Sequence, residues 1–163
     1  MKKQVYFSGV IFIGFGIYFL LQQYDVQLTE NLYTWPTLLC IIGLAYLLQG
    51  YGGKHYDSIL PGVVLTGLGI HFHISDYLAF WPDHTGVFLL LISLGFLLIY
   101  VKTGSGLFTG FLFLASAILL LFFDRLESWA LEKGHNMSLF NHIWPFTFIA
   151  IGIYYLFILR NRK

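Results

Sequence analysis

The chain has 163 residues, of which 58% are hydrophobic, 20% are aromatic and only 10% are charged, and its formal net charge is +1. A soluble domain carries about 25% charged residues, so a water-exposed fold of this composition would have an apolar, aggregation-prone exterior. The composition therefore predicts an integral membrane protein with the lipid bilayer as its solvent. The sequence has no basic stripe, which argues against nucleic-acid binding. Its single cysteine, Cys40, excludes an intramolecular disulfide and a cysteine-based metal site.

Six apolar segments follow one another along the chain. As helices they would each rise roughly 21–26 Å, slightly less than the hydrocarbon core of about 30 Å. Aromatic residues at the ends can extend each segment into the interface. The segments therefore predict an all-α integral membrane protein with six transmembrane helices, at residues 5–21, 35–48, 59–74, 86–101, 107–123 and 144–159.

A trio of small residues recurs with the same spacing in every second segment. Each trio precedes a polar loop and then an apolar segment with a central glycine. A unit repeated in this way indicates one supersecondary element used several times. The sequence thus predicts a single membrane domain over residues 1–163, made of three helical hairpins at approximately 5–51, 59–101 and 106–160. The trios are Gly9, Gly14 and Gly16; Gly62, Gly67 and Gly69; and Gly110, Ala115 and Ala117.

The first and last member of each trio fall on one helix face, because they are seven residues apart. Small residues let helices approach closely in lipid, where such contact is a main source of association. We expect internal packing of a six-helix bundle to use this face, and a docking face for another protein is the alternative. Gly106 adds a GxxxG pattern to the third copy. The predicted packing or partner face comprises Gly9, Gly16, Gly62, Gly69, Gly106 and Gly110.

The basic residues are distributed unequally between the two sides of the predicted bundle. Only Arg125 and Lys133 fall on the side opposite to the termini. The excess of Lys and Arg in short loops marks the cytoplasmic side. We therefore expect a multi-pass protein of the bacterial cytoplasmic membrane with both termini in the cytoplasm. The side with the termini holds Lys2, Lys3, Lys54, Lys102, Arg160, Arg162 and Lys163.

Tryptophans mark the opposite, outer side. Indole rings prefer the headgroup level of the bilayer, so we expect all four to act as interface anchors. Three of them precede a proline, which is suited to the first turn of a helix. We expect a helix to begin at Trp35-Pro36 and another at Trp144-Pro145, whereas Trp81-Pro82 departs from this pattern and we expect an extra turn to follow it. The anchors are Trp35, Trp81, Trp129 and Trp144.

The longest outer loop, residues 124–142, contains a pattern typical of a short helix. Asp124 is followed three residues later by Glu127, as in a capping box. Leu126 and Trp129 share a helical face, and Gly134 can end the helix. The pattern predicts a short amphipathic helix on the outer surface.

Ionisable residues are missing from the centres of the six segments. This argues against a coupled pump, a proton-driven transporter and an intramembrane protease, and no catalytic residue or cofactor is predicted. Weak candidates for a Zn²⁺ site lie near one outer loop: His71, His73, Asp76 and His84. Positions i and i+2 of a helix point about 200° apart, so both histidines reach one ion only if the helix has already ended. Sensing of pH by these histidines and simple interfacial hydration are the alternatives.

Residues 9–51 resemble the LiaI/LiaF-like transmembrane region of bacteria. The resemblance lies in the glycine-bearing helix that ends in Phe19-Leu20-Leu21, in Trp35-Pro36 and in the central Gly43. Residues 62–100 resemble the region more loosely, and residues 146–159 resemble its second half. The family implies an integral protein of the cytoplasmic membrane linked to envelope-stress signalling, with a histidine-kinase partner. Proteins of the LiaF type carry a soluble C-terminal domain after the helices, and we expect this chain to be without it and without the inhibitory role assigned to it.

These observations favour a non-enzymatic membrane protein that acts as an interaction or sensing subunit. Its expected partners are the bilayer and another membrane protein, such as a sensor kinase, or a second copy of itself. The alternative is a small channel or facilitator for an uncharged solute, which would need a continuous polar cavity. An enzyme acting on lipids or envelope precursors is a third hypothesis, supported only by the outer His and Asp residues.

Overall fold

A computed structural model describes residues 5–26, 32–75, 84–133 and 138–154. The described residues are mostly helical and include no strand, which confirms the predicted all-α class. A short 3₁₀ turn, Tyr56–Ser58, leads into the third helix. The helices are α1 Val5–Gln23, α2 Trp35–Tyr51, α3 Ile59–Ser75, α4 His84–Thr103, α5 Leu107–Leu121, α6 Phe123–Glu132 and α7 Ser138–Ile153.

Three stretches of the described chain are long and apolar enough to cross a membrane: Val5–Gln23, Tyr56–Ser75 and Thr85–Thr103. A fourth is added if Leu107–Leu121 and Phe123–Trp129 are counted as one broken span. Helix α2 is apolar but has only 17 residues. Length and composition thus support several membrane-crossing helices, and the total of six remains a prediction.

Large apolar side chains are exposed on many sides of these helices. On α1, for example, Phe12 is 79% exposed and Ile13 is 65% exposed. A helix that is apolar all round needs an apolar environment on every side, which a neighbouring helix or lipid supplies. The exterior therefore fits a bilayer better than water.

The chain divides into two compact units, Met1–Leu121 and Phe122–Lys163. Within the described part of the first unit, every helix packs against its neighbours in the sequence and against no other helix: α1 on α2, α2 on α3, α3 on α4 and α4 on α5. The first unit is therefore a row of helices with α1 at one end.

Two of the Trp-Pro pairs lie in described helices, at different places in them, and Trp81-Pro82 lies outside the described residues. Helix α2 begins at Trp35, with Pro36 in its first turn, as predicted. Helix α7 instead begins at Ser138, so the expectation that it starts at Trp144-Pro145 is wrong, and Pro145 lies inside the helix. The apolar residues before the proline allow the helix to begin earlier. Membrane helices tolerate an internal proline, because neighbouring groups can satisfy the freed backbone carbonyl.

The short helix predicted in the long outer loop is present as α6. It begins at Phe123, so Asp124 lies in its first turn and is not the N-cap residue that a capping box requires. A carboxylate in the first turn stabilises the helix through its attraction to the positive end of the helix dipole. The Ser128 hydroxyl donates a hydrogen bond of 2.7 Å to the Asp124 carbonyl. Gly134, the expected end of this helix, lies outside the described residues.

Candidate interaction surface

Glycines on both helices bring α2 and α3 close together. A Cβ atom placed on Gly43 would lie 2.9 Å from the Thr66 Cα, and one on Gly69 would lie 2.6 Å from the Pro36 carbonyl oxygen. A Cβ on Gly62 would lie 2.8 Å from the Leu47 backbone nitrogen. Because these neighbours are mostly backbone atoms, they cannot rotate aside. The α2–α3 interface therefore depends on glycine at these positions.

The α4–α5 interface uses the corresponding residues of the third trio. A Cβ atom on Gly110 would lie 2.8 Å from the Leu97 Cδ2 and 3.4 Å from the Leu97 nitrogen. Ala117 is fully buried. The Ser93 hydroxyl donates a hydrogen bond of 2.9 Å to the Gly110 carbonyl, which adds a polar contact between the two helices. The first and last residues of this trio thus lie in or beside a helix contact.

In the first two trios, the middle glycine contacts the helix that follows it in the chain. A Cβ atom on Gly14 would lie 3.6 Å from the Ile41 Cβ on α2, and one on Gly67 would lie 2.8 Å from the Leu91 Cδ1 on α4. The first and last glycines of the second trio, in contrast, face the preceding hairpin. Helix α3 is therefore held between α2 on one side and α4 on the other.

Within the described part of the first unit, no helix covers the face of α1 that carries the first trio's outer glycines. A Cβ atom on Gly9 or on Gly16 would have nothing within 4 Å among the described atoms. Ile13 lies between these glycines on the same face and is 65% exposed. We call this surface the α1 open face, defined by Gly9, Ile13 and Gly16. It points away from α2, which lies against Gly14 on another side of α1.

Gly106 does not belong to a helix face. It lies in the turn before α5 and has a φ of +100°, a left-handed backbone conformation that side chains rarely adopt. The expectation that it forms a packing face with Gly110 is therefore wrong. Turn formation, which a GxxxG pattern does not reveal, accounts for the glycine at this position.

Buried polar side chains are few in the described part of the chain, and no carboxylate, lysine or arginine is among them. Gln49 is 1% exposed, and its side-chain Oε1 accepts a hydrogen bond of 3.1 Å from the Phe7 backbone N–H. This bond satisfies a donor in the first turn of α1, which has no partner within the helix. The Gln49 Nε2 and the Thr66 Oγ1 are buried without a hydrogen-bond partner among the described atoms.

The two candidate histidines of α3 lie in different surroundings. Their helix continues to Ser75, so the condition for binding one ion together is not met. His71 is 2% exposed. The His73 Nε2 lies 2.9 Å from the Thr37 Oγ1, and the Thr37 hydroxyl donates to the Leu32 carbonyl at 2.6 Å. Because that hydroxyl has one proton, the histidine must be the donor in its contact with Thr37.

The remaining metal candidates cannot be placed. Asp76 lies outside the described residues, and only the backbone of His84 is described. Among the described residues, no group of three His, Cys, Asp or Glu side chains is arranged to hold a metal ion. The zinc hypothesis therefore gains no geometric support from this part of the chain.

The structure describes the side chains of two of the four tryptophans that we expect to act as interface anchors. Trp35 begins α2, is 56% exposed, and has its ring centroid 4.7 Å from that of Phe72. Trp129 on α6 is 55% exposed, and the Lys133 Nζ lies 4.1 Å from its ring centroid. Trp81 and the side chain of Trp144 lie outside the described part.

Two cavities lie between helices of the first unit. One, of about 210 Å³, separates part of α1 from α2 and is lined by Gly14, Ile17, Tyr18, Leu21, Leu32, Tyr33, Thr37 and Ile41. The other, of about 240 Å³, is lined by Leu90, Ser93, Leu94, Leu97 and Leu114. Aliphatic and aromatic residues make up most of both linings. Neither cavity forms the polar path that a facilitator for an uncharged polar solute would use.

Comparisons with known proteins agree with the resemblance seen in the sequence. Over its whole length, the chain is 26% identical to a protein of Bacillus subtilis (strain 168) named "Uncharacterized membrane protein YsxD", of which it covers 99%. No solved structure matches the chain. The family model of the LiaI-LiaF-like transmembrane region matches residues 6–47, a range that includes most of α1 and most of α2. Residues 6–47 are thus similar to the LiaI-LiaF-like transmembrane region, in a chain whose long apolar helices are those of a membrane protein.

Proposed function

We propose that this protein is a non-enzymatic subunit of the bacterial cytoplasmic membrane, which binds another membrane protein and takes part in sensing or regulation of the envelope-stress type. The α1 open face is the observation that carries the proposal. It lies in the region that matches the family, and no described helix of the first unit covers it, whereas the equivalent glycines Gly62 and Gly69 are in close contact with α2.

The physical argument concerns what an exposed pair of glycines does in lipid. A bare helix backbone offers little surface to acyl chains, whereas a second helix can approach it closely and gain dispersion contacts. Gly9 and Gly16 leave such a shallow groove on α1, with Ile13 between them. This geometry favours a helix as the occupant.

The interior supports a binding role over a catalytic one. Among the described residues, the buried polar side chains are Gln49, His71 and Ser93, so His71 is the one ionisable group among them and no carboxylate is buried. Catalysis by acid–base or nucleophilic chemistry needs ionisable groups held near a reactive site. An arrangement of six spans in three hairpins, with both termini in the cytoplasm, belongs to the same proposal and is supported by the distribution of Lys and Arg.

The proposal can be tested by isolating the tagged protein from native membranes in mild detergent. Mass spectrometry then identifies the proteins that are isolated with it. We expect a recurrent membrane-protein partner whose recovery falls at least tenfold in Gly16→Leu, because the added side chain fills the groove. Phe19→Trp is the matched control, since it adds bulk to the same helix about a quarter turn away, at a side chain that is 56% exposed. The proposal would be contradicted if the partner were recovered equally from both variants, or if no membrane protein were isolated repeatedly with the chain.

A further inference from the structure

The ends of three helices meet at one end of the first unit. Helix α2 ends at Tyr51, α4 ends at Thr103, and the 3₁₀ turn Tyr56–Ser58 that precedes α3 packs against both. The Lys102 Nζ, in the last turn of α4, lies 5.5 Å from the centroid of the Tyr51 ring. A second lysine, Lys54, follows Tyr51 in the loop, at most about 11 Å of chain away. We call Tyr51, Lys54 and Lys102 the basic end.

The loop after α2 holds Lys54 at a fixed position. The backbone N–H groups of Gly53 and His55, on either side of it, both donate to the Gln49 carbonyl, at 3.1 and 3.4 Å. Gln49 itself is buried, so the loop is anchored on the packed end of α2. Lys54 has a φ of +55°, in the left-handed region where glycine is the relaxed residue. Its exposed side chain therefore starts from a fixed backbone and not from a freely moving loop.

The positive charge of the basic end is not neutralised by the described part of the chain. Neither Lys54 nor Lys102 forms an ion pair there, and both side chains are exposed. The carboxylate nearest to Lys54 in the sequence, Asp57, is also exposed and pairs with neither lysine. Lysines and tyrosines at the ends of membrane helices lie at the level of the lipid headgroups. An anionic group of the bilayer can therefore complement this charge.

An exposed apolar stripe leads from the basic end along α2. Leu44, Leu48 and Tyr51 are four and three residues apart, so they lie on one face of the helix. Their exposed fractions are 49%, 48% and 41%. The two leucines offer dispersion contacts to an acyl chain, and Tyr51 joins the stripe to the two lysines. Cations placed at the end of an apolar stripe match the charge and shape of an anionic amphiphile.

We infer that the basic end binds the headgroup phosphate of an anionic phospholipid, whose acyl chains lie along the stripe of Leu44 and Leu48. A lysine ammonium donates charge-assisted hydrogen bonds to phosphate oxygens. An anionic lipid is favoured over a zwitterionic one, because a zwitterionic headgroup brings its own cation close to the two lysines. The inference concerns α2 and α4 of the first unit and is independent of the α1 open face and of the proposed function.

Native mass spectrometry of the purified full chain in detergent tests this site. The protein is titrated with phosphatidylglycerol or with phosphatidylcholine, and the dissociation constant of the first bound lipid is measured. The variant Lys54→Gln/Lys102→Gln removes both charges of the basic end. The matched control is Arg125→Gln/Lys133→Gln, because it removes two positive charges from exposed positions in and just after α6.

We expect the lysine variant to bind phosphatidylglycerol about tenfold more weakly, because each lysine near an anionic surface contributes roughly fivefold. The control variant should bind it as the wild-type chain does. Equal weakening in both variants would show a general effect of charge and would overturn the inference, as would equal affinity of the wild-type chain for the two lipids. Glycerol 3-phosphate at the same concentration should not displace the lipid. Displacement would show a phosphate site to which the stripe contributes nothing, which also overturns the lipid as occupant.

Lys54→Gly separates lipid binding from a role of this residue in the turn. Glycine adopts the left-handed backbone without strain, and it removes the charge. We expect this variant to keep or gain stability in SDS titration and to bind phosphatidylglycerol more weakly, whereas Lys54→Arg should bind it as the wild-type chain does. If Lys54→Gly binds the lipid with wild-type affinity, Lys54 acts only in the turn and the inference is overturned.

Discussion

Replacing Gly43 with alanine is expected to weaken the contact between α2 and α3. The added Cβ would lie 2.9 Å from the Thr66 Cα, whereas carbon atoms pack best at about 3.5–4.0 Å. The backbone of Thr66 cannot rotate aside, so the two helices must separate by about 0.5–1 Å to reach that distance. Overpacking of this kind costs about 1–3 kcal/mol.

Gly16→Ala is the matched control, because it makes the same substitution in another apolar helix, where the added Cβ meets no described neighbouring atom. Nothing lies within 4 Å of its Cβ position. Only the higher helix propensity of alanine remains, which is worth up to about 1 kcal/mol. The same gain offsets part of the cost at Gly43, so we expect a net loss of about 1–2 kcal/mol there, and no loss at Gly16.

Unfolding by SDS titration in mixed micelles, followed by tryptophan fluorescence, measures both variants. A loss of about 1.4 kcal/mol corresponds to a tenfold smaller equilibrium constant for folding. The reasoning would be refuted if Gly43→Ala were as stable as Gly16→Ala, since the close approach of α2 and α3 would then not require glycine.

Other variants test the polar groups of the interior by the same unfolding assay and by metal analysis. Thr66→Val should leave stability unchanged or raise it by about 1 kcal/mol, because it removes a buried hydroxyl without a partner, and a clear loss would contradict this. Ser93→Ala should lower stability by about 0.5–1.5 kcal/mol, since it removes the hydrogen bond to Gly110; unchanged stability would argue against that bond. Combined His71→Ala and His73→Ala should leave the zinc content of the isolated protein unchanged, because the helix turns the two rings apart, and a loss of stoichiometric zinc would revive the metal site.

The sequence was sufficient to predict the helices, because their signals are local. Long apolar runs bounded by polar loops gave α1 to α5 within a few residues, and Pro36 marked the start of α2. The sequence placed the start of α7 too late, because proline interrupts a helix less strongly in a membrane segment than in a helix exposed to water. Gly106 was misplaced because spacing alone does not distinguish a helical glycine from one in a turn with positive φ.

The candidate surface could be predicted only in part. The trios indicated which residues are small, but not which of them are covered, since that depends on the partner helix. Gly9 and Gly62 look equivalent in the sequence, yet only Gly62 lies against a neighbour. The role of Gln49 was missed as well, because its contact with Phe7 joins two helices and leaves no local pattern.

Site-specific photo-cross-linking in native membranes tests most directly whether the α1 open face binds protein. A photoreactive amino acid is placed at Ile13, and at Phe19 as a control on another side of the same helix; both side chains are exposed in the single chain. We predict defined protein adducts from position 13 and mainly lipid adducts from position 19. Lipid adducts alone from position 13 would contradict the account, because the face would then be a bilayer surface and not a binding surface.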